Sequence, residues 1–461
     1  MRNNFFWNEL NVTIFQRFIL CCPVLGILYF EVFKKLYFPI TDDWLYIPWG
    51  SHQLSPGNIS DFELVAGHQQ IVTKYSIWLL GFAPKFYLPY VGFLNFAFAV
   101  TGYLLLIYVS FKYIDKKINF IFVSSFFIVA FSYKPFYMYM TATALGPMQA
   151  IFLIGIYYYI KNTPKGRSSD WMLVLVIFLS PFTTGLGMIV PLTEIMENLY
   201  LLIKNRLIQR YNVLKLLVCI GSLSLAYAWP LITENIDIRA QYGERGFVES
   251  IFGVLSNPIG TFKFILSLFG SIFTPSNRYD PNLSMIIGFL FLIFVICFLF
   301  KKTSKSDFQD ILLNKNTTMA GFLFIVLVIF TRYGGVDSEI MGATAPRYIT
   351  GYIVFLLGIM SLLVKKNDNN KGFNFLLILF TILTLMSGLK TGLEWQKIRW
   401  SQTTNIVKCI QHDLKFEKKI GDDCINLAYK LRRENTDYET FKDDFYNYLI
   451  VSELIAKSSV K

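Results

Sequence analysis

Long apolar runs recur along the chain, and they constrain its fold more than any other feature of the sequence. Most of the runs are about 15 to 24 residues long and are separated by short charged loops. This is the spacing that a hydrocarbon layer of about 30 Å requires of helices that cross it. Only 16% of the residues are charged, against roughly 25% in soluble domains. The sequence therefore predicts an all-α, polytopic membrane protein.

Eleven apolar runs are predicted to cross the membrane as helices. They cover residues 12–33, 88–111, 118–133, 144–160, 171–183, 185–203, 213–231, 282–300, 318–331, 348–364 and 372–388. The two short runs around Pro181 leave two alternatives open, because they form either two spans or one re-entrant hairpin buried among other helices. The hairpin lowers the count to nine and changes no other orientation. The first run continues without a small-residue cleavage site, so we expect it to remain as the first span.

Clusters of Lys and Arg follow every second run and predict the orientation of the chain. Basic loops stay in the cytoplasm, so the N-terminus is predicted inside and the C-terminus outside. The same role accounts for the net charge of +12, and no nucleic-acid partner is expected. The basic residues are Lys112, Lys116, Lys117, Lys161, Lys165, Arg167, Lys204, Arg206, Arg210, Lys215, Lys301, Lys302, Lys305, Lys365, Lys366 and Lys371.

Three loops between the runs are predicted to face the outside, at residues 34–87, 232–281 and 332–347. Two apolar stretches within the longer loops, 71–82 and 261–273, are too short to cross a membrane. We expect each of them to form a helix along the membrane interface.

A change of composition divides the chain into a transmembrane module, 1–388, and a C-terminal domain, 389–461. The C-terminal domain is rich in Lys, Asp and Glu, and its apolar residues recur at helical spacing, so a small helical domain is predicted on the outer face. These residues are Ile406, Ile410, Leu414, Ile425, Leu427, Leu431, Phe441, Phe445 and Leu449. Cys409 and Cys424 form either a disulfide, as an oxidising compartment allows, or two reduced thiols in the core of this domain.

Asp42 and Asp43 stand side by side just beyond the first predicted span and are followed by Trp44. Adjacent carboxylates repel each other, and the edge of a bilayer desolvates them, so the pKa of one of them tends to rise. A raised pKa suits a general base that deprotonates a sugar hydroxyl. The alternative is that Thr41 or Asp42 caps a short helix after Pro39.

Arg347 and Tyr348 enter a predicted span from the outside. An arginine at that depth is costly unless it meets an anion, and a guanidinium can bind two phosphate oxygens at once. Arg332, at the end of the preceding span, supplies a second cation across the same loop. The sequence therefore predicts that this segment binds a lipid phosphate. The alternatives are interfacial anchoring and ion pairs with Asp337 or Glu339.

Three motifs together resemble those of membrane glycosyltransferases of the GT-C class. They are Asp42-Asp43-Trp44 after the first span, Gly67-His68-Gln69-Gln70 before an interfacial helix, and Arg347-Tyr348 at a late span. The length and the basic, Phe- and Asn-rich character of the chain are further similar to the serotype-converting O-antigen glucosyltransferases of enterobacteria and their phages. The resemblance implies a GT-C-like bundle of about eleven transmembrane helices with a small helical extracytoplasmic C-terminal domain.

The resemblance also implies an activity. An enzyme of this class transfers a hexose, here glucose, from a polyprenyl-phosphate donor to O-antigen or another surface polysaccharide on the periplasmic side of the bacterial inner membrane. Asp42 or Asp43 then serves as the base or binds a divalent metal ion, and Arg347 binds the donor phosphate. Trp44, His68 and Gln69 are candidate substrate-binding residues. A donor synthase and a flippase are the expected partners.

One departure from the family pattern concerns His68. Related proteins often carry Glu-His-Arg where this chain has Gly67-His68-Gln69, so one acid and one base of that pattern are missing here. The role of His68 is left open accordingly.

Two other functions fit parts of the sequence. An O-antigen polymerase carries an Arg-x10-Gly pattern, which Arg347 and Gly358 match. A transporter or flippase would carry ionisable residues inside its spans, and Lys74, Glu194 and Glu197 are the nearest cases; the two glutamates are three residues apart and share a helix face. The sequence lacks a P-loop, a Gly-rich dinucleotide motif, HExxH and CxxC, which argues against an ATP-driven pump, an oxidoreductase and a zinc protease.

Overall fold

The regular secondary structure of the described residues is helical throughout. A computed structural model of the protein describes residues 44, 46–58, 70–82, 88–111, 144–163, 167–205, 210–232, 247–274, 281–300, 317–330, 346–367, 371–416, 420–430 and 438–451. No strand occurs in these ranges, which confirms the predicted all-α class for this part of the chain.

The helices are numbered in chain order. They are α1 (Ile47–Gly50), α2 (Ile71–Leu80), α3 (Leu88–Phe111), α4 (Leu145–Asn162), α5 (Arg167–Leu179), α6 (Ile189–Asn205), α7 (Arg210–Ile232), α8 (Phe247–Ser256), α9 (Pro258–Gly270), α10 (Pro281–Phe300), α11 (Thr318–Val328), α12 (Pro346–Asn367), α13 (Lys371–Phe416), α14 (Asp422–Tyr429) and α15 (Tyr438–Val451).

Most of the predicted spans coincide with helices. The run 88–111 has the same bounds as α3, and 213–231 and 282–300 lie within α7 and α10. Two segments of the described residues, Val91–Ser110 and Gly185–Ile203, are long and apolar enough to cross a membrane. The predicted spans 12–33 and 118–133 lie outside the described residues, and the predicted interfacial stretches 71–82 and 261–273 correspond to α2 and α9.

Close contacts through glycine join pairs of neighbouring helices. A Cβ atom added to Gly155 of α4 would lie 2.7 Å from the carbonyl oxygen of Gly102 in α3. A Cβ on Gly288 of α10 would overlap the carbonyl of Leu266 in α9, and one on Gly321 of α11 would overlap the backbone of Phe355 in α12. Small residues at helix crossings let two backbones approach each other, as is common between helices packed in membranes.

Two short 3-10 turns, Ser180–Phe182 and Gly185–Met188, connect α5 to α6. The connection is buried, and the carbonyl oxygen of Thr183 lies 3.4 Å from the hydroxyl of Thr73 in α2. Helix α5 has 13 residues, which reach only about 20 Å. The short helix and the buried connection are compatible with both alternatives for the runs around Pro181, because irregular backbone at membrane depth requires cover by neighbouring helices in either case.

Helix α13 continues across the predicted domain boundary at residue 388. It has 46 residues and therefore reaches about 69 Å, more than twice the thickness of a hydrocarbon layer. Its first half packs on α10, where Phe380 contacts Phe291 and Phe294. Its last turns pack on α14, so one rigid helix connects the last predicted span to the C-terminal domain.

The C-terminal helices enclose a compact apolar core, called here the C-terminal cluster. Its buried members are Trp44, Ile47, Ile406, Ile410, Ile420, Cys424, Ile425, Ala428, Phe441, Phe445, Tyr448 and Leu449. The helical spacing of the sequence correctly predicted the burial of Ile406, Ile410, Phe441, Phe445 and Leu449. Leu427 is 39% exposed, so its prediction was wrong; Leu431 lies outside the described residues.

Candidate functional site

Five of the predicted site residues lie outside the part of the chain that the structure describes. They are Asp42, Asp43, His68, Gln69 and Arg332. Their predicted roles therefore stay predictions.

Arg347 and Tyr348 lie in the first turn of α12, which begins at Pro346. One turn further along, Thr350 is buried, and its carbonyl oxygen accepts a hydrogen bond of 3.3 Å from the hydroxyl of Tyr103 in α3. The start of α12 is thus held against α3. This contact fixes the backbone position of the segment that carries the predicted phosphate-binding residues.

Trp44 lies inside the C-terminal cluster. Its side chain is 0% exposed, and its ring centroid is 4.7 Å from that of Phe441, 5.9 Å from that of Tyr448 and 6.2 Å from that of Phe445. The ring has no exposed face for a substrate to contact. In place of the predicted contact with substrate, the geometry supports a packing role for Trp44.

Two sets of hydrogen bonds near α2, called here the polar layer, join Tyr46 to Gln70 and join α2 to Gln149 of α4. The hydroxyl of Tyr46 donates to Oε1 of Gln70, and Gln70 adopts a left-handed conformation with φ 41° just before α2. Thr73 donates to Oε1 of Gln149 at 2.9 Å, and Nε2 of Gln149 donates to the hydroxyl of Ser76 at 2.8 Å. The left-handed conformation is uncommon for a residue other than glycine and marks a constrained position directly after His68 and Gln69 in the chain.

Lys74 places a positive charge beside the polar layer. The side chain is 2% exposed, and its Nζ atom lies 5.3 Å from the ring centroid of Trp49, which is also buried. A buried ammonium group is costly, and attraction to an aromatic ring offsets part of that cost. In the sequence, Lys74 is a lysine within an apolar stretch, and this pattern indicated only a transporter.

Four charged residues form a second buried site, called here the ionic cluster: Lys161, Glu194, Glu197 and Lys215. Nζ of Lys161 lies 3.1 Å from Oε2 of Glu194 and also pairs with Glu197, while Lys215 pairs with the other oxygen of Glu194. The hydroxyl of Tyr157 donates to Glu194 at 2.7 Å. Two ammonium groups and two carboxylates cancel, so α4, α6 and α7 share a neutral network.

The ionic cluster corrects one part of the topology argument. Lys161 and Lys215 were predicted to belong to cytoplasmic loops, but they lie within α4 and α7, where their side chains are only 13% and 9% exposed. Both are paired with carboxylates. The orientation of the chain stays a prediction.

Cys409 and Cys424 form a disulfide bond that joins α13 to α14, with their Cα atoms 5.6 Å apart. Of the two alternatives left by the sequence, the structure contains the disulfide. Among the described residues, Cys409, Asp413 and Cys424 are the group whose ligand atoms lie close enough to share a metal ion, within 4.8 Å of one another. Because both sulfurs are bonded to each other, they offer no thiolate to a metal.

Comparison with known proteins adds no family to this picture: no protein-family model matches the chain, and neither the curated proteins nor the solved structures contain a match. A functional assignment therefore depends on the chemistry of the residues and on the motif resemblance alone.

Proposed function

We propose that this chain is a polytopic membrane glycosyltransferase of the GT-C class. It transfers a hexose, glucose by resemblance, from a polyprenyl-phosphate donor to O-antigen or a similar polysaccharide at the periplasmic face of a bacterial inner membrane. The N-terminus lies in the cytoplasm and the C-terminus in the periplasm.

One observation carries the proposal: the residue that follows Asp42-Asp43 is anchored in the C-terminal cluster. Trp44 packs on α15, while Tyr46 and Trp49, a few residues later, contact Gln70 and Lys74 at α2. The acidic pair therefore adjoins a segment that connects an extramembrane helical domain to an apolar helical bundle. A lipid-linked donor and a water-soluble acceptor meet at such a junction.

The proposed reaction is a displacement at the anomeric carbon of the donor. The carboxylate of Asp42 or Asp43 accepts the proton of the acceptor hydroxyl, while the hydroxyl oxygen forms a bond to the anomeric carbon. The bond between that carbon and the phosphate oxygen breaks, and the lipid phosphate leaves with both electrons. Arg347, Arg332 and Tyr348 bind the leaving phosphate, whose charge increases in the transition state.

The surface of the helices supports a multi-pass arrangement. On α10, four large apolar side chains recur at helical spacing, and each is more than 40% exposed. They are Leu283, Ile286, Leu290 and Ile293. Phe291 and Phe294 on the same helix are buried. An exposed apolar stripe of this length is unfavourable in water and is the surface that lipid chains cover.

The test compares lipopolysaccharide by mass from cells with and without the gene. Transfer predicts one added hexose per repeat unit when the gene is present, and variants Asp42→Asn and Asp43→Asn identify which carboxylate is needed. A changed distribution of chain lengths with unchanged repeat mass would replace the proposal by a polymerase. No covalent change of the polysaccharide would end both enzyme proposals.

Transport is a second candidate function, and the ionic cluster is the observation that favours it. Glu194 and Glu197 lie within Gly185–Ile203, a segment apolar enough to cross a membrane, and ionisable groups at that depth commonly mark a transport pathway. A flippase of lipid-linked sugar predicts that loss of the gene retains the donor sugar on the cytoplasmic face without altering its chemistry. Accessibility of the lipid-linked sugar to an impermeant oxidant in oriented vesicles measures this.

A further inference from the structure

The C-terminal cluster contains two residues from the opposite end of the chain. Trp44 is 0% exposed and Ile47 is 2% exposed, and both pack among residues of α13, α14 and α15. The indole ring contacts three aromatic rings of α15 at centroid distances of 4.7 to 6.2 Å. A buried aromatic ring of this size contributes strongly to the adhesion of two segments.

The other side of the same short segment packs on a different surface. Tyr46 and Trp49 are each 1% exposed and belong to an apolar cluster with Ile77 of α2, Val91 of α3 and Leu145 of α4. Trp44 and Ile47 therefore face the C-terminal helices, and Tyr46 and Trp49 face the bundle. The segment therefore packs between the C-terminal helices and the bundle, and this arrangement is called here the clamp. The segment directly follows Asp42-Asp43 in the chain.

A disulfide and a hydrogen bond connect the C-terminal helices on which Trp44 packs. The disulfide between Cys409 and Cys424 joins α13 to α14, and Oδ2 of Asp413 accepts a hydrogen bond of 2.8 Å from the backbone amide of Gly421 at the start of α14. Helix α13 continues into the bundle without a break. The same helix thus contributes both to the docking surface for Trp44 and to the contacts with α10.

We infer that the C-terminal helices act as a positioning element for the acidic pair, with Trp44 as the positioning residue. The inference rests on the proposed function for what the acidic pair does. Trp44 is bonded directly to Asp43, and a general base must be held within hydrogen-bond reach of the hydroxyl that it deprotonates. We expect the buried position of Trp44 to restrict the acidic pair through the chain. Loss of the clamp affects turnover and leaves binding of the lipid donor unchanged.

The experiment uses the full-length protein in lipid nanodiscs and compares four single variants and one double variant. Trp44→Ala and Phe441→Ala remove the contact from either side, Trp44→Phe keeps an aromatic ring, and Trp171→Ala removes a tryptophan that is 70% exposed on α5. Hydrogen exchange of peptides covering residues 46–58 measures the clamp, and exchange of α4 reports whether the bundle is folded. Transfer kinetics with polyprenyl-phosphate glucose give kcat and the donor KM.

The expected result is faster exchange at residues 46–58 and a kcat lowered about tenfold or more for both alanine variants, with donor KM within about twofold of wild type. Trp44→Phe retains most of both properties, and Trp171→Ala resembles wild type. The double variant Trp44→Ala with Phe441→Ala loses less than the sum of the two single variants, because each change alone already removes the contact between these two rings.

Two results would overturn the inference. One is wild-type exchange at residues 46–58 in Trp44→Ala, which would mean that the ring does not hold the segment. The other is faster exchange with unchanged kcat, which would mean that the clamp does not position the base. If the wild-type protein transfers no sugar, the proposed function fails, while the exchange measurement still decides whether the C-terminal helices hold the segment.

Discussion

The C-terminal cluster and the ionic cluster both join residues from different helices, but opposite kinds of contact hold them together. In the C-terminal cluster, aromatic and aliphatic side chains pack around a disulfide. In the ionic cluster, two lysines and two glutamates neutralise each other among apolar helices. Removal of an apolar side chain lowers the stability of the fold in proportion to the buried volume that is lost. Removal of one partner of a buried ion pair leaves the other charge buried without compensation.

The comparison predicts the largest effect for a single change in the ionic cluster. Glu194→Gln leaves two ammonium groups with one carboxylate, and Lys215→Met leaves two carboxylates with one ammonium group. Each change is expected to lower the free energy of unfolding by about 3–5 kcal/mol, because the charge left behind is buried. Thermal unfolding of the purified protein in detergent measures the loss.

The double variant Glu194→Gln with Lys215→Met is the matched control. It leaves Lys161 with Glu197 and keeps the net charge of the cluster at zero, so we expect it to be more stable than the sum of the single losses predicts. Additive losses would show that charge balance does not stabilise the cluster.

Removal of the disulfide is expected to have the next largest effect. The bond closes a sequence separation of 15 residues, which corresponds to about 3 kcal/mol in the free energy of unfolding. Cys409→Ala with Cys424→Ala should therefore lower the stability of the C-terminal helices, and a reducing agent should do the same to the wild-type protein. Cys297→Ala, which removes an exposed free cysteine, is the control.

Hydrogen exchange resolves where that effect lies. Faster exchange in α14 and α15 with unchanged exchange in α4 and α6 would support the comparison of two separately stabilised regions. Equal acceleration in all four helices would show that the disulfide stabilises the molecule as a whole.

A smaller effect is expected in the polar layer. Gln149→Leu removes the acceptor of Thr73 and a donor to Ser76, and buried polar groups that lose a partner cost about 1–3 kcal/mol. Gln411→Leu, at an exposed position of α13, serves as the control in the same unfolding measurement. Equal stability of the two variants would contradict a contribution from the polar layer.

The smallest effect is expected for an exposed ion pair of the C-terminal helices. Nζ of Lys442 lies 3.5 Å from Oδ1 of Asp422, and this carboxylate raises the pKa of Lys442 above its usual value. A raised lysine pKa stabilises the fold below the unfolded-state value, about 10.4, and the contribution disappears as the pH rises through the folded-state pKa.

Between about pH 6 and 9, Lys442 is protonated in both the folded and the unfolded protein, so its contribution does not change with pH. Because an exposed ion pair contributes little, Lys442→Ala should leave the melting temperature almost unchanged across this range. Circular dichroism melts across this range check the expectation. A loss as large as that caused by removing the disulfide would show that exposed charges contribute more to this region than its apolar core.

Local patterns allowed much of the helical structure to be predicted. The apolar run 88–111 coincides with α3, because a long apolar run that crosses a hydrocarbon layer must satisfy its backbone groups within a helix. The change of composition at residue 388 predicted a domain boundary, but α13 continues for a further 28 residues to Phe416. Lys, Glu and Gln favour helix as strongly as Leu does, so a loss of hydropathy does not end a helix.

Contacts between distant segments were beyond the reach of local patterns. Nothing in the sequence near Trp44 distinguishes docking on α15 from contact with a sugar, since an exposed and a buried tryptophan have the same neighbours in the chain. Lys161 and Lys215 resembled loop charges because they stand at the ends of apolar runs, and their partner Glu194 lies on a different helix in each case. Both errors concern pairing between helices, which residue spacing alone does not encode.

The central claim is that Asp42 or Asp43 is the base of a sugar transfer, and one measurement tests it most directly. Purified wild type, Asp42→Asn and Asp43→Asn are incubated in nanodiscs with polyprenyl-phosphate glucose and a polysaccharide acceptor, and the added hexose is counted by mass. Asparagine keeps the shape of aspartate and removes the proton acceptor. At least one variant should therefore transfer about 100-fold more slowly at normal protein abundance. Transfer at the wild-type rate by both variants would contradict the account.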